Sequence, residues 1–402
     1  VLLNNAGALS FDAGNTVNFE FLQKDNAGTA TLTGAQSFSG GTTLNGGTLT
    51  VAGALETPTV ALADGTVLNV GGSLQAAGGT TAALTGSAGA NTVNVAAGAS
   101  LLATGNLGDG SDILDVSGTL DTQGGVFDLG AGDDTLTIHD GTNLIGTVAA
   151  GVGNDTFNTD IATIANLGAV QGFETLSKTG VGTLNINGPA SSDFTTVNVA
   201  AGTLNVTAGG SVAAQTTTVA AGSTLQMDGS YTGTTGNDSF TVAGTVAGAG
   251  TLDLLDGDDS FTIQDGADLS GLANAIDGGA GTDTFIADLA GSATLGGAIN
   301  FETLTKTNTG TLNIDGPAAS AFTTVNVDGG TLDIGAAGSI DGAVTSTVAS
   351  GATLNVDGSY TGSAGADTMN VSGTVAGSGT IGLAAGDDTL TLNDGALLNN
   401  VI

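Results

Sequence analysis

Short runs of alternating apolar and polar residues recur along the whole chain, as in GTLNV at 202–206 and ATLNV at 352–356. Period-two alternation with abundant β-branched Thr and Val predicts half-buried strands. The runs are broken by Gly, Asn and Asp, the residues of tight turns. No stretch sustains a helical period. A motif G-x-[DN]-[TSI]-[FLI] punctuates the strands, beginning at Gly110, Gly132, Gly153, Gly236, Gly257, Gly281, Gly365 (with Met369 in the last position) and Gly386. Within each copy its spacings are 22 and 21, then 21 and 24, then 21 residues. Short strands at that period predict an all-β, parallel β-helix (β-solenoid) with about 21 residues per rung. A single turn cannot bury its apolar row; stacking at roughly 4.8 Å buries the rows in columns and pairs the backbone from rung to rung. A β-roll or a stack of β-sandwiches is the alternative, but sandwiches usually carry larger aromatic cores.

A longer repeat lies above the rung. FETLSKTGVGTLNINGP (173–189) matches FETLTKTNTGTLNIDGP (301–317), 128 positions on. A more diverged copy begins at FEFLQKDNAGTATLTG (19–34), and Lys24, Lys178 and Lys306 fall at the same place in the three. The expectation is one solenoid over 1–402 with repeat units near 19–172, 173–300 and 301–402, the last incomplete. Because the last unit stops mid-repeat, the natural protein is expected to be longer.

Composition narrows the function classes. There are 70 Gly, 3 Pro, no Cys, no Trp and 4% aromatics, which suits many thin layers better than one thick core. The charge is −35, from 38 Asp plus Glu against 3 Lys plus Arg. Such a surface cannot displace counterions from a phosphate backbone, so nucleic acid is excluded as a partner. Without Cys there is no disulfide framework or thiolate chemistry. No apolar run reaches the length of a membrane span.

At 22–51 the pattern LQKDNAGTATLTGAQSFSGGTTLNGGTLTV resembles the autotransporter-associated β-strand repeat. Leu22, Lys24, Gly28, Thr29, Leu32, Gly34, Phe38, Gly40, Gly41, Thr42, Gly47, Thr48, Leu49 and Val51 carry the resemblance. The second copy keeps Leu176, Lys178, Gly182, Thr183 and Leu184, and the third Leu304, Lys306, Gly310, Thr311 and Leu312. Both depart from the pattern at Pro189 and Pro317. The resemblance implies the passenger region of a bacterial autotransporter: a right-handed parallel β-helix, exported to the cell surface or beyond, with a C-terminal β-barrel expected in the full-length protein. It further implies an adhesin or aggregation factor that meets a host-cell surface protein or glycan, or its own kind on another cell. A structural stalk or calcium-dependent scaffold presenting a distal domain is the alternative reading.

Several residues invite a chemical role. The acidic motif resembles single units of the calcium repeat G-G-x-G-x-D-x-U-x, which makes Asp134, Asp155, Asp259, Asp283 and Asp388 candidate Ca²⁺ ligands. That repeat must recur every nine residues to build both halves of a cage, whereas here the motif comes once per turn. The other reading is a plain corner, since Asp and Asn tolerate the left-handed region. Stacked Asp134 and Asp155, or Asp259 and Asp283, would repel unless screened, protonated or bridged. His139, the single histidine, has Gln264 and Asn393 as equivalents, so it reads as an outward polar strand residue. The recurrent lysines read as fold elements able to pair with Glu20, Glu174 or Glu302 at the surface. Paired aspartates suit glycosidase chemistry, but they recur in every copy, aromatics are scarce and Arg is absent. The chain is therefore read as non-catalytic and without a firm cofactor.

Overall fold

The computed structural model describes residues 1–12, 19–167, 169–316 and 322–399, and the side chains at 167, 169 and 189–193 lie outside the description as well. Pro317 falls outside the described residues. Each of two compact units, Val1–Phe194 and Thr195–Ile402, is an all-β parallel solenoid. Together they hold about 18 turns of roughly 21 residues. The unit boundary lies inside the second repeat, so compact units and sequence repeats are different partitions of the chain. No helix long and apolar enough to cross a membrane occurs among the described residues.

The strands form where the alternation is written. In the first unit Ile113–Val116, Thr135–His139, Thr156–Asp160 and Thr175–Thr179 pair in parallel, in register. The register stacks Leu114, Leu136, Phe157 and Leu176 in one inner column. All four are fully buried. Successive residues of a strand point to opposite faces, so the Thr, Asn and Asp between them face outward and stay half-buried. In the second unit Ser239–Val242, Ser260–Gln264, Thr284–Asp288 and Thr303–Thr307 repeat the arrangement with Phe240, Phe261, Phe285 and Leu304.

Those phenylalanines form a continuous column. Phe240 and Phe261 are stacked at 5.0 Å, and Phe261 and Phe285 at 5.4 Å. Tyr231 meets one end edge-on at 5.6 Å and Phe301 the other at 5.8 Å. Five of the second unit's aromatics thus share one column, where identical rings one rung apart fall naturally into offset stacks. Tyr231 and Tyr360 bury their hydroxyls against Thr217 and Ser346, each at 2.6 Å.

Candidate functional site: the acidic corners

The motif builds a corner followed by a strand. In the first unit its fifth residue enters the core column and its fourth begins the strand, facing out. Its third, always Asp in the eight motifs, turns inward. Asp112, Asp134, Asp155, Asp259 and Asp283 are each at most 2% exposed.

The reason lies in the main chain. At the corner the Asp carbonyl still joins the ladder: Asp112 O accepts Thr135 N–H, and Asp134 O accepts Thr156 N–H. The Asp N–H has left the ladder and needs an acceptor, because a buried unpaired amide is costly. The carboxylate of the following turn supplies it. Asn91 N–H donates to Asp112 Oδ1 at 2.5 Å, Asp112 N–H to Asp134 Oδ1 at 2.7 Å, and Asp134 N–H to Asp155 Oδ1 at 2.7 Å. Asp155 N–H then donates to Glu174 Oε2 at 2.7 Å. In the second unit Asp238 donates to Asp259 at 2.8 Å, Asp259 to Asp283 at 2.7 Å, and Asp283 to Glu302 Oε2 at 2.6 Å. Asp367 N–H reaches Asp388 Oδ1 at 3.1 Å. Side chain and main chain therefore alternate in one ladder.

The first residue of the motif is glycine for a related reason. A Cβ on Gly132 would lie 1.9 Å from Gly110 O, and one on Gly153 would lie 1.7 Å from Gly132 O. Where one motif corner lies on another, as at Gly132, Gly153, Gly257, Gly281 and Gly386, the stacking is too close for any side chain, whereas Gly236 and Gly365 meet no backbone atom. This corrects one expectation: the corner aspartates are not there because they accept left-handed geometry. Among the described residues, the non-glycine positions with positive φ are Asn26, Gln123, Leu255, Asn300, Asn308 and Ala384, none of them a corner aspartate.

The five candidate calcium ligands are all corner residues. Asp134 is joined to Asp155 and Asp259 to Asp283, each pair through one amide, while Asp388 stands against Asp367. Among the described residues, no three or more His, Cys, Asp or Glu side chains gather in a way that would hold a metal ion. The ladder also includes Asp112, Asp238, Asp367, Glu174 and Glu302, absent from the candidate set. The motif already marked the three aspartates. Gly172-Phe173-Glu174-Thr175-Leu176 is the same motif with Glu in its third place, a signal the [DN] pattern passed over.

Burial shifts these acids. Asp112 is raised from 3.8 to about 7, chiefly by desolvation and further by the charge of Asp134, against the lowering effect of the Asn91 N–H. Asp134 and Asp259 are raised to about 6, again chiefly by desolvation. Asp155, Asp238 and Asp283 are raised for the same leading reason. Asp25, Asp140, Asp268 and Asp357 shift the other way. Asp140 is held low by the N–H groups and hydroxyl of the next corner, where its Oδ1 accepts Thr163 N–H at 2.9 Å and Ala162 N–H at 3.0 Å.

The lysines have a fold role, but in another form than a surface ion pair. Lys24, Lys178 and Lys306 are fully buried. Lys306 stands in an inner column behind Ala287, whose small side chain leaves room. Its Nζ donates to Thr307 O, to Asn308 O at 3.2 Å and to Leu289 O at 3.4 Å. Lys24 Nζ reaches Asp25 O at 2.6 Å, Asn26 O at 2.7 Å and Gly46 O at 3.1 Å, and Lys178 Nζ reaches Thr179 O at 2.6 Å and Gly180 O at 2.8 Å. In each copy the residue two places after Lys has positive φ: Asn26, Gly180 and Asn308. Each ammonium pins the carbonyls of a left-handed turn from inside. Desolvation lowers all three lysine pKa values. Glu174 and Glu302, the expected partners, instead accept the last amide of an acidic ladder.

His139 lies on an outward edge, with Nε2 3.0 Å from Asp115 Oδ1. Near it, amides chain along the outer face: Asn94 Nδ2–H donates to Asn69 Oδ1 at 2.7 Å, and Asn69 Nδ2–H to Thr50 Oγ1 at 3.3 Å. A shallow groove of about 330 Å³ runs past Thr50, Asn69, Asn94, Asp115 and Ser117.

With this geometry in view, a family comparison is informative. Residues 22–51 and 304–334 match the passenger-associated-transport-repeat model. This repeat type occurs in autotransporter passenger domains. The matches lie on the first and third of the three repeated segments and include Lys24 and Lys306. No curated protein and no solved structure matches the chain.

Proposed function

We propose that the chain is an exported autotransporter passenger, displayed at the bacterial surface or released from it, that acts as a non-catalytic adhesin or aggregation factor. The observation that carries this reading is the pair of passenger-repeat matches at 22–51 and 304–334 on a parallel β-solenoid. The buried chemical groups support it. Corner aspartates and inner lysines bond the solenoid to itself, and the same arrangement recurs copy after copy, whereas an active site is normally built once. Much of what faces outward is polar, with side-chain ladders such as Asn94, Asn69 and Thr50. Such a face suits weak, repeated contacts with a host-cell surface protein, a neutral glycan or a like surface on another cell, summed by multivalency. Anionic polymers are disfavoured by a charge of −35.

The test is display. Cells exporting the full-length protein are compared with a strain lacking residues 1–402 but retaining export of the remainder. Higher adherence, autoaggregation or biofilm in the first is expected. Equal behaviour in all three assays would favour the alternative, a stalk that presents a distal domain. Hydrolysis of any polysaccharide by the purified chain would overturn the non-catalytic part.

A further inference from the structure

Most rungs of the acidic ladders leave one carboxylate oxygen without a partner; Asp238 instead accepts from Thr234 with both of its oxygens. Asp112, Asp134, Asp155, Asp259 and Asp283 each use Oδ1 on a backbone amide, and Asp367 uses Oδ1 on the Ser363 hydroxyl, while Oδ2 of all six is buried and makes no hydrogen bond. The charged groups facing them are all acidic. Asp134 feels Asp155, Asp128 and Asp133; Asp155 feels Glu174 and Asp133. Asp259 feels Asp238, Asp283 and Asp258; Asp283 feels Glu302, Asp258 and Asp277. Lys24, Lys178 and Lys306 hold turn carbonyls at other corners. A buried ionised carboxylate with an unpaired oxygen is costly, and a row of them adds repulsion.

The chain carries its own neutral control. Asn91 stands at the first position of the first ladder. Its Oδ1 accepts Ser87 N–H at 3.2 Å, and its Nδ2 donates to Ala63 O at 2.8 Å and Thr66 Oγ1 at 3.2 Å. A neutral group of the same shape is thus compatible with the corner.

We propose that the acidic ladders are proton-binding columns: folding loads the buried corner aspartates with protons, so mild acid tightens the acid-bearing turns and alkali loosens them. The direction agrees with the titration of these groups. The folded values of Asp112, Asp134, Asp155, Asp259 and Asp283 lie above the ordinary 3.8, at about 7 for Asp112 and about 6 for Asp134 and Asp259. Stability from a raised acid is fully present below its unfolded value and is lost as pH rises through its folded value. The window is therefore pH 4 to 7. Below it the exposed, lowered acids Asp25, Asp140, Asp268 and Asp357 act the other way. For a chain displayed outside the cell, the pH of the medium would set how firmly these turns close.

The test needs no assumption about cooperativity. The full chain is refolded from urea in unbuffered solution at pH 6 with chelator present, and proton exchange is followed with a pH-stat. Uptake of about two protons per chain is expected from the cited values. Release, or no exchange, would overturn the proposal. The melting temperature is then compared at pH 5 and pH 8 for the parent, Asp134→Asn, Asp259→Asn and the exposed control Asp133→Asn. The buried variants should melt higher than the parent at pH 8 and show a weaker pH dependence; the control should keep the parent's dependence. Equal flattening in the control would assign the effect to general charge repulsion and refute the ladder. If Ca²⁺ raises the melting temperature at pH 8 and cancels proton uptake at pH 6, the columns are metal sites and the proposal fails.

Discussion

Replacing Gly132 with alanine tests the close stacking of the corners. The added Cβ would lie 1.9 Å from Gly110 O and 2.5 Å from Gly110 C, at φ 136°. Real Cβ contacts essentially never fall below 3.0 Å, so the two turns must part by about 1 Å or more. Three short bonds resist that parting: Gly110 N–H to Ala131 O at 2.7 Å, Asp112 N–H to Asp134 Oδ1 at 2.7 Å and Thr135 N–H to Asp112 O at 2.9 Å. Weakening two of them at about 1–3 kcal/mol each, with about 1–3 kcal/mol for the strained backbone, gives roughly 3–9 kcal/mol. Gly98 is the control: its φ is 77°, and its Cβ would meet nothing within 4 Å. Gly98→Ala should cost only about 1–2 kcal/mol, the left-handed penalty. Urea titration followed by circular dichroism gives the totals. Hydrogen exchange at the Asp112, Asp134 and Leu136 amides locates the effect. If Gly132→Ala costs no more than Gly98→Ala, close corner stacking is not why the motif begins with glycine.

Other substitutions probe the remaining parts. Phe261→Ala removes the ring stacked between Phe240 and Phe285 and should destabilise the second unit by about 3–5 kcal/mol in urea titration, with Phe261→Leu costing clearly less. Lys306→Met keeps the volume but strips Thr307 O, Asn308 O and Leu289 O of their ammonium donor; amide exchange near Gly310 should quicken by roughly 5- to 150-fold, as a loss of about 1–3 kcal/mol implies. Tyr231→Phe leaves the Thr217 hydroxyl buried without its 2.6 Å partner and should cost about 1 kcal/mol in melting experiments. His139→Gln should stay within about 0.5 kcal/mol of the parent, because Gln264 already fills that position in another copy; a larger loss would mean the Asp115 contact matters to the fold.

The strands, their parallel stacking and the rung period were legible because each depends on local pattern. Alternation such as Thr-Leu-Thr-Ile at 135–138 decides which side chains face the core, and the spacing of Gly110, Gly132 and Gly153 fixes the length of a turn. The equivalence of His139, Gln264 and Asn393 was legible too, and it removed the histidine from the list of chemical candidates. What a carboxylate or an ammonium touches was not. Lys306 and Asp134 are charged residues, and pattern reasoning places charged residues outside. Only the stacked turns show that each is fully buried: Asp134 joins neighbouring rungs through partners 22 and 21 residues away, and Lys306 is enclosed by the stack while it holds its own turn and Leu289 O, 17 residues back. The sequence by itself determined a repeated all-β stack, its period and its copies, since those follow from nearest neighbours along the chain. The tertiary structure decided that the acids and lysines hold that stack together from within, since an unpaired amide or carbonyl at a corner finds its partner only when the next turn is laid on it.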